Sequence, residues 1–157
     1  MGERVRHAML GAGVAALAAA GTAGAGGNHG KLGAKLTVKG QTKDVISVSA
    51  FKIQDPANGY APDAGKRVVG ISFTVKNVGK VKYKDFPNAL LTTTSGESSG
   101  SAISTGGSCN SPGLLNLKPG QSKTFCLPFE VAKAGKLMTV QYETDSGYGT
   151  PAVFALR

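Results

Sequence analysis

The sequence is defined first by what it lacks. It has no tryptophan, two cysteines and two histidines among 157 residues, and charged residues make up only 17%. Without tryptophan, the core is built mostly from Val, Leu, Ile and Phe. No window places apolar residues at i, i+3, i+4 and i+7, so a predominantly helical fold is excluded. The chain is also rich in glycine, with 23 residues, which is typical of a turn-rich β protein.

Long hydrophobic runs are also absent. The longest covers residues 8–20, which is shorter than the roughly 20 residues that a spanning helix needs. Arg4 and Arg6 precede this run, and Ala23-Gly24-Ala25 follows it as an A-x-A cleavage site. This order predicts a signal peptide over residues 1–25. No cysteine lies near the cleavage site, so a lipid anchor is disfavoured. We expect a secreted, extracellular protein, either free or associated with the cell wall, with no transmembrane segment in the mature chain.

The mature region is the size of one domain. Residues 26–34 (GGNHGKLGA) are predicted to be a flexible linker, and residues 35–157 an all-β domain. The clearest pattern lies in residues 65–80, where every second residue is apolar: Val69, Ile71, Phe73 and Val75. A period of two predicts a half-buried strand, which we expect at the centre of the domain, packed with the Phe125, Leu127 and Phe129 face.

Similar alternation recurs along the chain and predicts seven or eight antiparallel strands in a sandwich. In the strand predicted over residues 44–54, the apolar phase switches between Ala50 and Phe51. One extra residue in a strand has this effect, so we predict a β-bulge there; a strand buried on both faces is the alternative. Residues 118–121 (KPGQ) predict a type II turn with Gly120 in its third position.

Both cysteines, Cys109 and Cys126, lie in the mature region, and two cysteines in an exported chain usually pair. Cys126 alternates with Phe125 and Leu127, so it is predicted to face away from the core. The bridge would therefore fasten the Ser- and Gly-rich loop of residues 94–113 to an outer face or an edge. Pro128 also favours an edge or a bulge, because it cannot donate a ladder hydrogen bond.

The formal net charge is +9. In an exported protein this favours acidic partners, such as an anionic envelope polymer or lipid headgroups, over nucleic acid; improved solubility is the alternative. A cluster of side chains suggests one contact site for an anion or a protein partner: Lys76, Lys80, Lys82, Tyr83 and Lys84. The alternative is a solvated face whose lysines protect an exposed sheet edge.

Metal, cofactor and catalytic signals are weak. Asp55, Asn58 and Asp63 offer oxygen ligands for calcium, but their spacing fits no known loop and such residues usually cap turns. The one mature-region histidine, His29, lies in the glycine-rich start and is poorly placed to activate a serine. We therefore expect no metal, no cofactor and no enzymatic activity.

Three short motifs resemble a known family. They are GKRVV at residues 65–69 leading into a strand that ends Lys76-Asn77, LKPGQ at residues 117–121, and Phe129-Glu130-Val131. In order and spacing they resemble the exported immunoglobulin-like domains of unknown function found in Gram-positive lipoproteins and secreted antigens. Some members are misleadingly called telomeric repeat-binding proteins. Over residues 36–142, the resemblance implies an immunoglobulin-like sandwich outside the cytoplasm, with no catalytic residues to transfer.

These observations predict a non-enzymatic binding or interaction module at the cell envelope or in the extracellular space. Its partner would be an envelope polymer or an extracellular protein. The alternative is a secreted inhibitor, for example of a protease, that presents the loop of residues 94–113 braced by Cys109.

Overall fold

The computed structural model describes residues 28–56, 61–102 and 107–157. The predicted signal peptide lies outside these residues. The described part contains eleven strands and one short 3₁₀ turn. They are β1 His29–Lys31, β2 Leu36–Lys39, β3 Val45–Gln54, β4 Lys66–Asn77, β5 Tyr83–Asp85, β6 Asn88–Thr93, β7 Ser98–Gly100, β8 Leu115–Leu117, β9 Ser122–Ala132, β10 Leu137–Glu143, the 3₁₀ turn Asp145–Gly147, and β11 Ala152–Ala155.

The strands form an immunoglobulin-like sandwich, as predicted. One sheet has the order β2-β3-β4-β9, the other β1-β11-β10-β6-β7, and β5 pairs with β8 in a small third sheet. Two details differ from the prediction. The described residues contain eleven strands rather than seven or eight, and β1 runs parallel to β11 instead of antiparallel. In this part of the chain, no helix is long and apolar enough to span a bilayer.

Strand β4 is one of the two inner strands of the four-stranded sheet, in agreement with the central position that its pattern predicted. Val69, Ile71, Phe73 and Val75 all lie in the core, each 1% exposed or less. The ring of Phe73 lies 6.1 Å from that of Phe125 on β9, its neighbour in the same sheet. The Phe125 face therefore packs beside β4 rather than opposite it. The facing sheet contributes other buried side chains: Leu91, Val140, Tyr142 and Phe154.

The predicted β-bulge in β3 is confirmed. Ala50 pairs with Phe73, and the next paired residue is Lys52, opposite Ser72, so Phe51 is the extra residue. The alternative, a strand buried on both faces, is wrong, because Phe51 is 44% exposed. The bulge thus releases the end of β3 from the core.

Asn77 fixes the end of the central strand. Its buried Nδ2 donates to the carbonyls of Val81 at 2.8 Å and Leu117 at 2.9 Å. Its Oδ1 accepts a hydrogen bond from the Gly79 amide at 3.0 Å. The amide of Gly120, in the predicted turn, donates to the Asn77 carbonyl at 2.8 Å. Two of the motifs behind the family resemblance therefore meet here in space.

The turn at residues 118–121 has the predicted form. Gly120 has a φ of 83°, which favours glycine, and the Gln121 amide donates to the Lys118 carbonyl at 3.0 Å.

Two segments expected to lack structure contain strands. Within the predicted linker, β1 pairs with β11, so the linker prediction is wrong for His29–Lys31. Within the Ser- and Gly-rich loop, β7 pairs with β6, so the loop is shorter than expected. In both cases backbone pairing orders residues that carry no hydrophobic pattern.

Candidate binding face

The disulfide lies on the outer face of the four-stranded sheet. Cys109 and Cys126 are joined, and both are buried. Cys126 pairs in register with Ser72 on the outward side of β4. A β-carbon at the adjacent outward residue, Gly70, would meet both sulfurs at about 3 Å. The bridge and its predicted direction are confirmed, and it fastens the end of the loop before β8 to edge strand β9.

The predicted contact cluster loses its tyrosine. Tyr83 is 1% exposed, and its hydroxyl donates to Asp85 Oδ2 at 3.2 Å in the interior. The assignment of Tyr83 to a contact surface is therefore wrong, because its side chain belongs to the core. Lys80, Lys82 and Lys84 are exposed, but of these only Lys84 lies in a strand.

Tyr83 instead begins a buried polar chain between the sheets. Its hydroxyl lies 3.5 Å from that of Tyr142, and Asp85 Oδ2 also accepts the Asp145 amide at 2.8 Å. Burial raises the pKa of both phenols, most strongly that of Tyr83. Burial also raises the pKa of Asp85, although its hydrogen bonds oppose the rise. The chain holds β5 against β10.

Lys76 lies on the outer face of the four-stranded sheet. In register it pairs with Ser47 on β3 and Ser122 on β9, and the next outward residue, Thr74, pairs with Ser49. These side chains line a groove of about 410 Å³, together with the lysine that directly precedes β2. Its full lining is Lys35, Ser47, Ser49, Thr74, Lys76, Val78 and Ser122.

The groove has a regular polar floor and a positive charge. Neighbouring strands are about 4.8 Å apart, and alternate residues along a strand are about 6.6 Å apart. The backbone of the sheet therefore sets the spacing between the hydroxyl groups. No carboxylate lines the groove. Among the described residues, ion pairs occur at Lys66, and neither Lys35 nor Lys76 takes part in one. This face can therefore donate hydrogen bonds and attract an anion.

The alternation of polar and apolar residues in β3 and β4 could have predicted this face. The site predicted from the sequence was instead the lysine cluster. Ser47, Ser49 and Thr74 occupy the positions between the buried residues of β3 and β4, so alternation alone makes them outward. That they lie side by side depends on the strand register, which the sequence does not state.

The structure adds no support for the calcium ligands, the histidine or the inhibitor loop considered from the sequence. Asp63 lies 3.7 Å from Lys66 in an ion pair, and Asn58 falls outside the described residues. Within those residues, no three His, Cys, Asp or Glu side chains cluster to hold a metal. His29 is exposed on β1. The inhibitor hypothesis depends on a loop whose residues 103–106 also lie outside the described part.

Solved structures with the same architecture are known. The secreted protein MPT63 of Mycobacterium tuberculosis superimposes with a TM-score of 0.61 at 16% identity, over 81% of this chain and 95% of that one. The YjhA protein of Bacillus subtilis gives 0.53 at 14% identity, over 82% and 99%. An uncharacterised β-sandwich protein of Clostridium difficile gives 0.52 at 12% identity, over 82% and 93%.

These similarities establish the fold class, an all-β sandwich, at sequence identities too low to carry a function. No protein-family model matches the sequence. No curated protein matches it either. The resemblance to exported immunoglobulin-like domains is thus supported at the level of the fold.

Proposed function

We propose that this protein is a secreted, non-enzymatic binding module that holds an anionic polymer of the cell envelope against the outer face of its four-stranded sheet. The observation that carries the proposal is the groove around Lys76, where serine and threonine hydroxyls surround two lysines and no carboxylate is present. Hydroxyls and ammonium groups together suit a polymer that carries both negative charges and sugar hydroxyls.

The rigidity of this face supports a role in binding. The groove is built on paired strands of one sheet, so its side chains are held in place before a ligand arrives. Thr74 is fixed further by a 2.8 Å hydrogen bond between its hydroxyl and that of Thr124. The strands and the Thr74 side chain therefore lose little conformational entropy when a polymer binds.

The extracellular location is part of the proposal. The leader pattern of residues 1–25 and the Cys109–Cys126 bridge both support it, because disulfides persist in oxidising compartments. The similar fold of the secreted protein MPT63 is consistent with it.

Salt-dependent retention on an immobilised polyanion tests the proposal. The mature protein is applied to a heparin column as the probe polyanion and to a neutral dextran column, and is eluted with a NaCl gradient. We expect retention on heparin alone, with elution that depends steeply on salt, because salt screens exposed charges. No retention would contradict the proposal.

Matched variants distinguish the effect of the groove on retention from the effect of net charge. Lys35→Glu/Lys76→Glu changes the charge by as much as Lys82→Glu/Lys84→Glu, and we expect the first pair to elute at clearly lower salt. Equal elution would show that net charge, not the groove, controls retention. The uncharged variant Ser49→Ala/Thr74→Ala should weaken retention while leaving the net charge unchanged.

A further inference from the structure

Two loops meet at one end of the sandwich, and carboxylates converge there. Asp44 closes the turn between β2 and β3, and Asp145 begins the 3₁₀ turn between β10 and β11. The Gln41 amide donates to Asp145 Oδ2, and Gln41 Nε2 donates to the Tyr148 carbonyl at 2.7 Å. The turn of one sheet is thus bonded to the loop of the other.

Asp44 is the unusual member of this group. It is 1% exposed, and its Oδ1 accepts a hydrogen bond from the Thr42 hydroxyl at 2.7 Å. Its Oδ2 is buried and has no hydrogen-bond partner. A buried carboxylate oxygen without a partner is strongly unfavourable, because the solvation it loses is not replaced. This oxygen therefore points to a missing ligand.

The glycines around Asp44 show where its carboxylate is directed. A β-carbon at Gly40 would lie 2.4 and 2.6 Å from the two Asp44 oxygens and 2.7 Å from Asp145 Oδ2. That point is one bond from the Gly40 backbone, so it is not itself the centre of an ion. It shows that three carboxylate oxygens converge on one small volume that a side chain would block.

One further oxygen lies beside Asp145, and two lysines lie near Asp44 without forming an ion pair with it. A β-carbon at Gly149 would lie 3.0 Å from Asp145 Oδ2 and 1.9 Å from Thr144 Oγ1. Among the described residues, no Lys, Arg or His nitrogen lies within 4.0 Å of either Asp44 or Asp145. Asp44 also lines an open groove of about 360 Å³, and the two lysines that share this lining, Lys39 and Lys43, are exposed to solvent.

We infer that this end of the sandwich binds a calcium ion between Asp44 and Asp145. Calcium accepts six to eight oxygen ligands at about 2.3–2.6 Å, and combines carboxylates with hydroxyls, carbonyls and water. Only two carboxylates contribute, so we expect a Kd of about 10⁻⁴–10⁻³ M, the range of extracellular calcium modules. The ion would tie the β2–β3 turn to the β10–β11 loop and so brace the two sheets at this end.

Thermal unfolding with and without calcium tests the inference. The mature protein is heated in EDTA, in 10 mM CaCl₂, and in NaCl of equal ionic strength. We expect calcium to raise the Tm by about 3–8 °C over the NaCl sample, as mass action predicts for an ion well above its Kd. No rise, or the same rise in NaCl, would overturn the inference.

Variants locate the site. Asp44→Asn and Asp145→Asn should each abolish the calcium-dependent rise, whereas Asp63→Asn, in an exposed ion pair elsewhere, should keep it. A rise that survives in both site variants would overturn the assignment.

Terbium luminescence gives a readout that does not depend on stability. Terbium replaces calcium and is excited through nearby tyrosines, among which Tyr148 is three residues from Asp145. We expect emission that calcium displaces and that Asp44→Asn removes. Emission that is unchanged in this variant would contradict the site. The retention on the polyanion column is measured in EDTA, which removes calcium. The test of the proposed function therefore does not depend on the calcium site.

Discussion

Gly70 lies directly beneath the sulfur of Cys126. A β-carbon at residue 70 would be 2.9 Å from Cys126 Sγ and 3.0 Å from Cys109 Sγ, closer than such atoms approach in folded proteins. The glycine interrupts the outward polar residues of β4 at the point where the disulfide crosses the strand. Its role is steric rather than conformational, because it leaves room for the bridge.

Gly70→Ala should therefore lower the free energy of unfolding by about 1–3 kcal/mol, since the added methyl group must displace the bridge or the strand. Urea denaturation of the oxidised protein measures the change. Gly100→Ala is the matched control, because it also lies in a strand but a β-carbon there meets nothing within 4 Å. Equal losses in the two variants would contradict the steric explanation.

Removal of the disulfide should lower the free energy of unfolding by about 3 kcal/mol, because the bridge closes a loop with a sequence separation of 17 residues. Cys109→Ala/Cys126→Ala and the wild type are compared in urea. In the variant background Gly70→Ala should lose most of its effect, since the obstructing sulfurs are gone. An effect of full size there would show that Gly70 and the bridge are energetically independent.

Most of the fold could be predicted from the sequence wherever one strand face is buried. The alternation of Val69, Ile71 and Phe73 identified the central strand, and the phase switch at Phe51 located the bulge. The phase of Cys126 also gave the direction of the disulfide. In each case burial on one face imposes a period of two on the sequence.

The parts of the fold that were not predicted are ordered by contacts that produce no alternation of apolar residues in the sequence. Strands β1 and β7 are short and Gly- or Ser-containing, and they are paired through their backbones with β11 and β6. Tyr83 looked like a surface residue because lysines flank it, although the alternation across β5 places it inside. The groove around Lys76 and the convergence of Asp44 with Asp145 depend on register and on loops that meet in space, which the linear sequence does not contain.

Buried tyrosines should make the protein unfold at alkaline pH. The pKa values of Tyr83 and Tyr142 are raised in the folded protein above the ordinary value of 10.0. Folded tyrosines therefore stay protonated while unfolded ones ionise, so this contribution to stability is complete below pH 10 and is lost as the pH rises above it.

Above pH 10, Tyr142→Phe should reduce the steepness of that alkaline loss by up to about 1.4 kcal/mol per pH unit, because one linked proton is removed. The Tyr83 hydroxyl keeps its bond to Asp85 in this variant. Urea unfolding between pH 9 and pH 11 measures the slope. An identical slope in the two proteins would show that Tyr142 ionises equally in the folded and unfolded states.

Asn77 should be the most sensitive polar residue of the sandwich. Its fully buried side chain satisfies the carbonyls of Val81 and Leu117 and the amide of Gly79. Asn77→Ala removes the donor from the two carbonyls, whereas the Gly79 amide keeps its 2.9 Å bond to the Val45 carbonyl, so we expect a loss of about 2–4 kcal/mol in the free energy of unfolding.

The control for Asn77 is Asn116→Ala on β8, where the side chain is exposed and the change should stay within about 0.5 kcal/mol. Asn77→Asp adds a sharper test, since it keeps an oxygen for Gly79 but turns a carboxylate towards two carbonyls. It should therefore destabilise at least as much as alanine at neutral pH, because like partial charges then face one another. If Asn77→Asp is instead as stable as the wild type, the donor bonds of Asn77 do not hold the end of β4, and the backbone pairing of the turn at Gly120 must do so.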